Sequence, residues 1–174
     1  MKKQTFILKN HHREDNNITV EASLEIEDKN FKLEYQVKGE VNNYIFSKPS
    51  REKRANELWR ATCFELFLAP KESLNYWELN LSPSKAWNFY AFDNYKLCMR
   101  EEKNISLPII HISQKKNNYS LSLKFNFDRE LKEADFNLAV ILLDREKNRH
   151  FYSINRKENG VDFHDRGYWS ILTK

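Results

Sequence analysis

The stretch ITVEASLEIEDKNFKLEYQV, residues 18–37, decides the fold class of this chain of 174 residues. Apolar side chains occupy every second position over residues 18–26 and again over residues 31–37, with polar side chains between them. Such alternation is typical of a strand that places one face on a core and the other in water. The DKN sequence at residues 28–30 indicates a short hairpin turn between the two strands.

The same period of two recurs along the chain, so the sequence predicts an all-β protein. It is clear at residues 119–127 and 136–142, and only residues 51–58 and 129–133 have a helix-like composition. Many short strands at close spacing indicate two packed antiparallel sheets, as in a sandwich or barrel. We expect residues 1–174 to form one domain. Further strands are predicted at 6–9, 64–69, 76–82, 87–92, 109–113, 151–154 and 168–173. The inward rows, expected to be buried, include Val20, Leu24, Leu33, Leu66, Leu79, Leu121 and Val140.

Composition argues against several classes of partner. The formal net charge of +4 comes from 29 basic and 25 acidic residues that are interspersed, whereas nucleic-acid binders usually carry a concentrated basic face. The chain has only three glycines and neither of the common phosphate-binding glycine loops, so nucleotide-driven chemistry of the usual kinds is not expected. No apolar run approaches the length of a membrane span. We therefore expect neither nucleic acid nor a membrane as a partner.

The N-terminal apolar run, residues 6–8, is far too short for the core of a signal peptide, which favours a cytoplasmic location. Cys63 and Cys98 are then expected as free thiols. Two cysteines without CxxC spacing predict no zinc site, and no metal ligands are predicted elsewhere.

The segment from Leu58 to Met99 carries the strongest functional signal. Residues 76–95 alone hold seven aromatic residues, and the polar residues among the apolar ones include Glu65, Glu78 and Asn80. If the strands at 64–69 and 76–82 pair, these three side chains share one face, opposite the face of Trp77 and Leu79. A mixed aromatic and acidic surface is suited to binding a small polar molecule. The alternative is a scaffold role, with Glu78 in an ordinary surface ion pair.

The order and spacing of these residues resemble a known family. The pattern runs from Trp59 through Thr62-Cys63-Phe64-Glu65 and Tyr76-x-Glu78-x-Asn80-x-Ser82-Pro83 to Asp162-Phe163-His164. It is similar to the bacterial DOMON-like family, whose members resemble family-nine carbohydrate-binding modules. Lys85 and Cys98 stand where that family usually has glycine, and Lys96 where it usually has arginine.

The resemblance implies an immunoglobulin-like antiparallel β-sandwich with a ligand-binding role. It points to a set of ligand-binding residues: Trp59, Glu65, Tyr76, Glu78, Asn80, Trp87, Tyr95 and His164. We expect this set to line a concave, partly open pocket in which the two carboxylates repel each other, so that one titrates high.

Three functions remain open at this stage. The first is a non-catalytic module for a sugar or a similar polar ring compound, with Trp59 and Trp87 as stacking platforms unless they are core residues. The second is haem binding through Met99 and His164, as the wider resemblance implies. The third is a glycosidase that uses Glu65 and Glu78, although no nucleophile–base motif is present. If the protein is the non-catalytic binding module, no catalytic residue and no cofactor are predicted.

Overall fold

A computed structural model describes residues 3–12, 17–129, 131 and 133–172 of the chain. Three short 3₁₀ turns, at Val41–Asn43, Leu58–Arg60 and Arg166–Tyr168, are the helical elements within these ranges. The described strands are β1 Gln4–Ile7, β2 Lys9–Asn10, β3 Ile18–Glu27, β4 Asn30–Gly39, β5 Lys53–Arg54, β6 Cys63–Pro70, β7 Tyr76–Leu81, β8 Ala86–Phe92, β9 Arg100–Glu101, β10 Ile109–Lys115, β11 Asn118–Asn126, β12 Ala134–Leu143, β13 Arg149–Ser153 and β14 Ser170–Ile171.

The described strands form two sheets. The smaller sheet has five strands in the order β1-β3-β4-β11-β10. The larger sheet has nine, in the order β2-β13-β12-β6-β7-β8-β5, with β14 beside β12 and β9 beside β8. Within the described residues, β5 and β8 make the one parallel pair, and the other pairs are antiparallel. The protein is therefore an all-β antiparallel sandwich of immunoglobulin-like type, as the sequence predicts.

The predicted hairpin at residues 28–30 joins β3 to β4. Glu27 pairs with Asn30, and Asp28 takes a left-handed backbone conformation with φ of 54°, which aspartate tolerates better than most residues. The inward rows meet in one core between the sheets. The predicted inward residues are at most 1% exposed: Val20, Leu24, Leu33, Leu66, Leu79, Leu121 and Val140. Full burial of one such side chain stabilises the fold by roughly 1.5–3 kcal/mol.

The larger sheet is buried on both of its faces along β6, β7 and β8. Alternate residues of these strands face the smaller sheet, and the others contribute to a second apolar cluster on the outer face. Residues 155–169, here called the covering segment, lie over this outer face and add Phe163 and Trp169 to the cluster. The Trp169 indole donates a hydrogen bond to the Phe163 carbonyl at 2.8 Å, which links the end of the covering segment to its middle.

Two local predictions differ from the structure. Residues 51–57 are not helical, because Lys53 and Arg54 pair with the start of β8 and form a short parallel strand, and residue 58 only begins the 3₁₀ turn at Leu58–Arg60. Residues 129–133 are not helical at 129, 131 and 133, and positions 130 and 132 lie outside the described residues. The strand predicted at 168–173 is confirmed only at Ser170–Ile171, and residue 173 also lies outside the described ranges.

A search of the described residues finds no helix with the length and apolar character needed to cross a membrane.

Candidate functional site

A cleft of about 570 Å³ opens on the outer face of the larger sheet. Strands β6, β7, β12 and β13 supply its floor, and the turn at residues 58–60, the loop before β9 and the covering segment supply its walls. Its size falls within the range of small-molecule pockets. Its lining comprises Trp59, Glu65, Phe67, Glu78, Phe92, Lys96, Met99, Ile141, Arg149, Phe151, Val161, Asp162, Phe163 and His164.

Two acidic side chains stand at the floor of this cleft. In the β6–β7 register, Glu65 lies opposite Asn80 and Phe67 lies opposite Glu78. Glu65 and Glu78 are therefore diagonal neighbours on one face, as predicted from the alternation, and the side chains of diagonal neighbours in a sheet are roughly 7–8 Å apart. Both are buried, with exposures of 2% for Glu65 and 5% for Glu78.

The hydrogen bonds of the two carboxyl groups are incomplete. The Asn80 amide donates to Glu78 Oε1 at 2.8 Å, and the Cys63 thiol lies behind it, 3.6 Å from Asn80 Oδ1. Glu65 Oε1 is buried and has no hydrogen-bond partner. Burial, together with the charge of Glu78, raises the pKa of Glu65 well above its ordinary value. Burial also raises the pKa of Glu78 to about 7, against a smaller lowering by the Asn80 hydrogen bond.

His164 is held between Glu78 and Tyr76. The Tyr76 hydroxyl and His164 Nδ1 are 2.7 Å apart, while His164 Nε2 is 3.7 Å from Glu78 Oε2, too far for a hydrogen bond. The imidazole packs edge-on against Phe67 and Phe92, at ring-centroid distances of 5.0 and 5.5 Å. Burial among these rings and the nearby Lys96 charge lower the pKa of His164 to about 4, so the ring is neutral at neutral pH.

A polar bridge closes one rim of the cleft. Lys96 Nζ lies 3.0 Å from Asp162 Oδ1, and the Tyr95 hydroxyl donates to the other carboxylate oxygen of Asp162. Burial raises the pKa of Asp162, but the hydrogen bonds from Tyr95 and Lys96 outweigh it and the pKa falls below its usual value. The Lys96 backbone N–H donates to the Tyr76 hydroxyl at 3.1 Å, which ties this rim to the floor.

Four of the eight predicted site residues line the cleft: Trp59, Glu65, Glu78 and His164. Tyr76 and Asn80 lie behind them and orient His164 and Glu78. Tyr95 is 51% exposed and lies in the adjoining groove, where it contacts two residues of the cleft lining, Asp162 and Lys96.

Trp87 is the predicted residue that the structure places elsewhere. It is 3% exposed and belongs to the core between the sheets, on the same side of β8 as Phe89. The Arg54 guanidinium lies over its ring at 4.4 Å, an arrangement that stabilises the edge of the sheet. The expectation of a stacking platform at Trp87 is therefore corrected. Trp59 remains a candidate platform, since it is only partly buried at the cleft wall, edge-to-face with Tyr90 at 6.0 Å.

Sequence reasoning missed the contribution of β12 and β13. Ile141 pairs with Phe151 in this part of the sheet, and both line the cleft together with Arg149. The alternation of β13 places Arg149 and Phe151 on the face opposite Tyr152, a core residue. The alternation of β13 is visible in the sequence, but it does not indicate that the outer face of the larger sheet is apolar and covered by another segment.

Haem does not fit this arrangement. Met99 and His164 line the same cleft, as the haem hypothesis requires, and Met99 is 52% exposed at the rim. However, His164 Nδ1 is hydrogen-bonded to the Tyr76 hydroxyl and Nε2 faces the Glu78 carboxyl at 3.7 Å, so neither nitrogen is directed at an apolar space that could hold a haem iron.

No model of a known protein family matches the chain, and no curated protein matches its sequence. Solved structures do resemble it. A candidate carbohydrate-binding protein from Bacteroides uniformis has a TM-score of 0.70 at 13% identity, covering 99% of this chain and 85% of that one.

A family 9 carbohydrate-binding module from Caldicellulosiruptor kristjanssonii, in complex with glucose, has a TM-score of 0.56 at 10% identity, over 91% of this chain and 78% of the module. The cellotriose complex of such a module from the same organism gives 0.54 at 10% identity, over 87% and 72%. At these identities the likeness establishes the fold, which is the sandwich of family 9 carbohydrate-binding modules. The narrower resemblance to DOMON-like proteins stays a prediction.

Proposed function

We propose that the protein is a non-catalytic binding module that takes a carbohydrate, or a similar polar ring compound, in the cleft on the outer face of the larger sheet. The observation that carries the proposal is the carboxyl oxygen of Glu65, which is buried at the floor of an aromatic cleft without a partner. A buried acceptor without a donor costs about 1–3 kcal/mol, and a ligand hydroxyl would supply that donor.

The surroundings of the carboxyl pair favour a ligand that is rich in hydroxyl groups over an anion. Glu78, with a pKa of about 7, is partly ionised at neutral pH, so an added phosphate or carboxylate would meet repulsion at the floor. Trp59 at the wall offers an apolar ring surface of the kind that packs on sugar rings. The structural neighbours solved with glucose and cellotriose support this choice of ligand class.

Binding can be tested by isothermal titration calorimetry and thermal shift with glucose, cellobiose and glucose 6-phosphate. We expect the neutral sugars to bind and stabilise the protein more than the phosphate ester does. Glu78→Ala and Trp59→Ala should each lose the effect while circular dichroism shows an intact fold. Glu27→Ala removes an exposed carboxylate from the outer face of the smaller sheet and serves as the control. Unchanged binding in both cleft variants would exclude this site.

A second candidate function is glycoside hydrolysis, and one observation favours it. Glu65 and Glu78 lie in one cleft as diagonal neighbours on the same face, and burial raises the pKa of both carboxyl groups, as the proton-donating acid of such an enzyme requires. Aryl glycosides give the direct assay. Turnover that disappears in Glu65→Gln would establish an enzyme, whereas binding without turnover supports the module.

A further inference from the structure

The carboxyl pair at the cleft floor has no basic partner among the described residues. No described lysine or arginine nitrogen lies within ion-pairing distance of Glu65 or Glu78. Lys96, the nearer basic residue at the rim, is paired with Asp162 at 3.0 Å. The charge of Lys96 acts on Glu78 from the rim, and His164, whose Nε2 is 3.7 Å from Glu78 Oε2, is neutral at neutral pH. The lysine and the arginine that line the cleft, Lys96 and Arg149, contact Asp162 and Phe151, so neither forms an ion pair with the two buried acidic groups.

Two acceptor atoms of this pair lack a hydrogen-bond donor at normal distance. Glu78 Oε1 is occupied by the Asn80 amide, but Glu78 Oε2 has only His164 Nε2 nearby, at 3.7 Å. Glu65 Oε1 has no partner at all and belongs to a side chain that is 2% exposed. Hydroxyl donors can satisfy one acceptor each, whereas an ammonium group carries three donors and can reach both at once.

The remaining groups around the pair do not oppose a cation. Cys63 stays a thiol because burial raises its pKa well above the ordinary value, and Tyr76 stays a phenol with a pKa raised to about 12. Phe67 and Phe92 border the same space with apolar rings, and an apolar environment strengthens the attraction between unlike charges. Arg149 is the exception, but it is exposed and its guanidinium lies over the Phe151 ring at 5.6 Å.

Resting on the function proposed above, we propose that the cleft selects amino sugars over neutral sugars, with the sugar ammonium donating to Glu65 Oε1 and Glu78 Oε2. The ring and its hydroxyl groups would then occupy the aromatic part of the cleft beside Trp59. Glu65 and Glu78 are in this view the residues that determine specificity. Binding of the cation favours the ionised form of Glu78, so at neutral pH it releases part of a proton to solvent.

Calorimetry on the full chain at neutral pH, with D-glucosamine, D-glucose and N-acetyl-D-glucosamine, tests the inference. Hydrogen bonds to charged partners exceed neutral ones by about 1–1.5 kcal/mol, so glucosamine should bind about tenfold more tightly than either neutral sugar. Repeating the glucosamine titration in two buffers of different ionisation enthalpy should reveal the released proton. The neutral sugars should release less.

Variants assign the preference to the carboxyl pair. Glu65→Gln and Glu78→Gln keep the side-chain shape and should weaken binding of all three sugars, but they should bring the ratio of glucosamine to glucose affinity close to one. Glu27→Gln, which removes the same charge from an exposed position on the smaller sheet, should leave the ratio unchanged. Circular dichroism checks that each variant is folded.

The outcomes separate this inference from the proposed function. Equal affinities for glucosamine and glucose in the unaltered protein would overturn the amine preference and leave carbohydrate binding standing. A preference that survives in both glutamine variants would also overturn it, since the charge of the pair would not be its source. Failure of all three sugars to bind would reject both proposals together.

Discussion

Glu78 is the residue at which proton binding and fold stability are most directly coupled. Its pKa is raised from an ordinary 4.5 to about 7, chiefly by burial, so the folded protein holds this proton more tightly than the unfolded chain. The stability that this provides is complete below pH 4.5 and is lost as the pH rises through about 7. His164, with its pKa lowered to about 4, acts in the opposite sense over the acidic range.

We therefore predict that Glu78→Gln becomes increasingly stable relative to the unaltered protein as the pH rises. The gain should reach on the order of 2–3 kcal/mol in the free energy of unfolding between about pH 5 and about pH 8. Urea unfolding at several pH values measures it. His164 is present in both proteins, and the difference reports Glu78 together with the fall in the Glu65 pKa that loss of the Glu78 charge causes. A difference that is independent of pH would contradict the burial of this carboxyl group.

Tyr76 is a second residue whose polar atom can be tested alone. Its hydroxyl contacts His164 Nδ1 at 2.7 Å and accepts from the Lys96 N–H at 3.1 Å. Tyr76→Phe should lower the free energy of unfolding by about 1–3 kcal/mol, because it leaves two partly buried groups without a partner. Tyr95→Phe, at a hydroxyl whose residue is 51% exposed, should cost less than about 1 kcal/mol. Equal losses in chemical denaturation would argue against the Tyr76 bridge.

Among the elements, β5 depends on a single side chain for much of its attachment. Arg54 donates to Asn88 Oδ1 at 2.7 Å and to the Glu102 carbonyl at 2.7 Å, and it lies over Trp87. Arg54→Met should destabilise the protein by about 1–3 kcal/mol, since it removes charged donors from partly buried acceptors. Lys53→Met, at the exposed neighbouring position, should change stability by less than about 0.5 kcal/mol. Thermal or urea unfolding of the two variants gives the comparison.

The orientation of a strand was predicted correctly from the sequence where one of its faces is exposed to solvent. It was not predicted where both faces are buried. The hairpin of β3 and β4 alternates cleanly, so its turn, register and inward row followed from the pattern alone. In β8 every residue is buried, so aromatic side chains occur on both faces of the strand. The sequence pattern therefore does not indicate which face of β8 points to the core between the sheets. This is why Trp87 was expected in the site although it faces the core. β5 could not be predicted, because it consists of two polar residues and is too short to show an alternating pattern. It forms only by pairing with β8, which is distant in sequence.

The candidate site was predictable to the same extent. Pairing of β6 and β7 brings Glu65, Glu78 and Asn80 together through local alternation and a short connection. Phe151 and Arg149 reach the cleft only through the strand order of the larger sheet, which the sequence does not encode locally. The cover over this face comes from residues 155–169, far along the chain, and its position depends on tertiary packing.

For the whole molecule, we predict two levels of stability in native-state hydrogen exchange. Amides of β6 and β7 lie in paired strands that are buried on both faces, so they should exchange only through global unfolding. The covering segment makes mainly short-range backbone hydrogen bonds, such as Tyr168 N–H to the Asp165 carbonyl, and should exchange through local opening at lower free energy. A bound sugar should slow that opening. Uniform protection across both regions would contradict the prediction.

The two cysteines differ in a way that makes the protein ready for site-directed labelling. Cys98 is exposed in the loop beside Met99, which lines the cleft, whereas Cys63 is buried at 0% exposure and its thiol pKa is raised chiefly by that burial. Only a thiolate attacks a maleimide at a useful rate, so the native protein should take up one dye, at Cys98, and a second only after unfolding. Because that dye would sit at the mouth of the cleft, its fluorescence offers an optical readout of occupancy without any engineered residue.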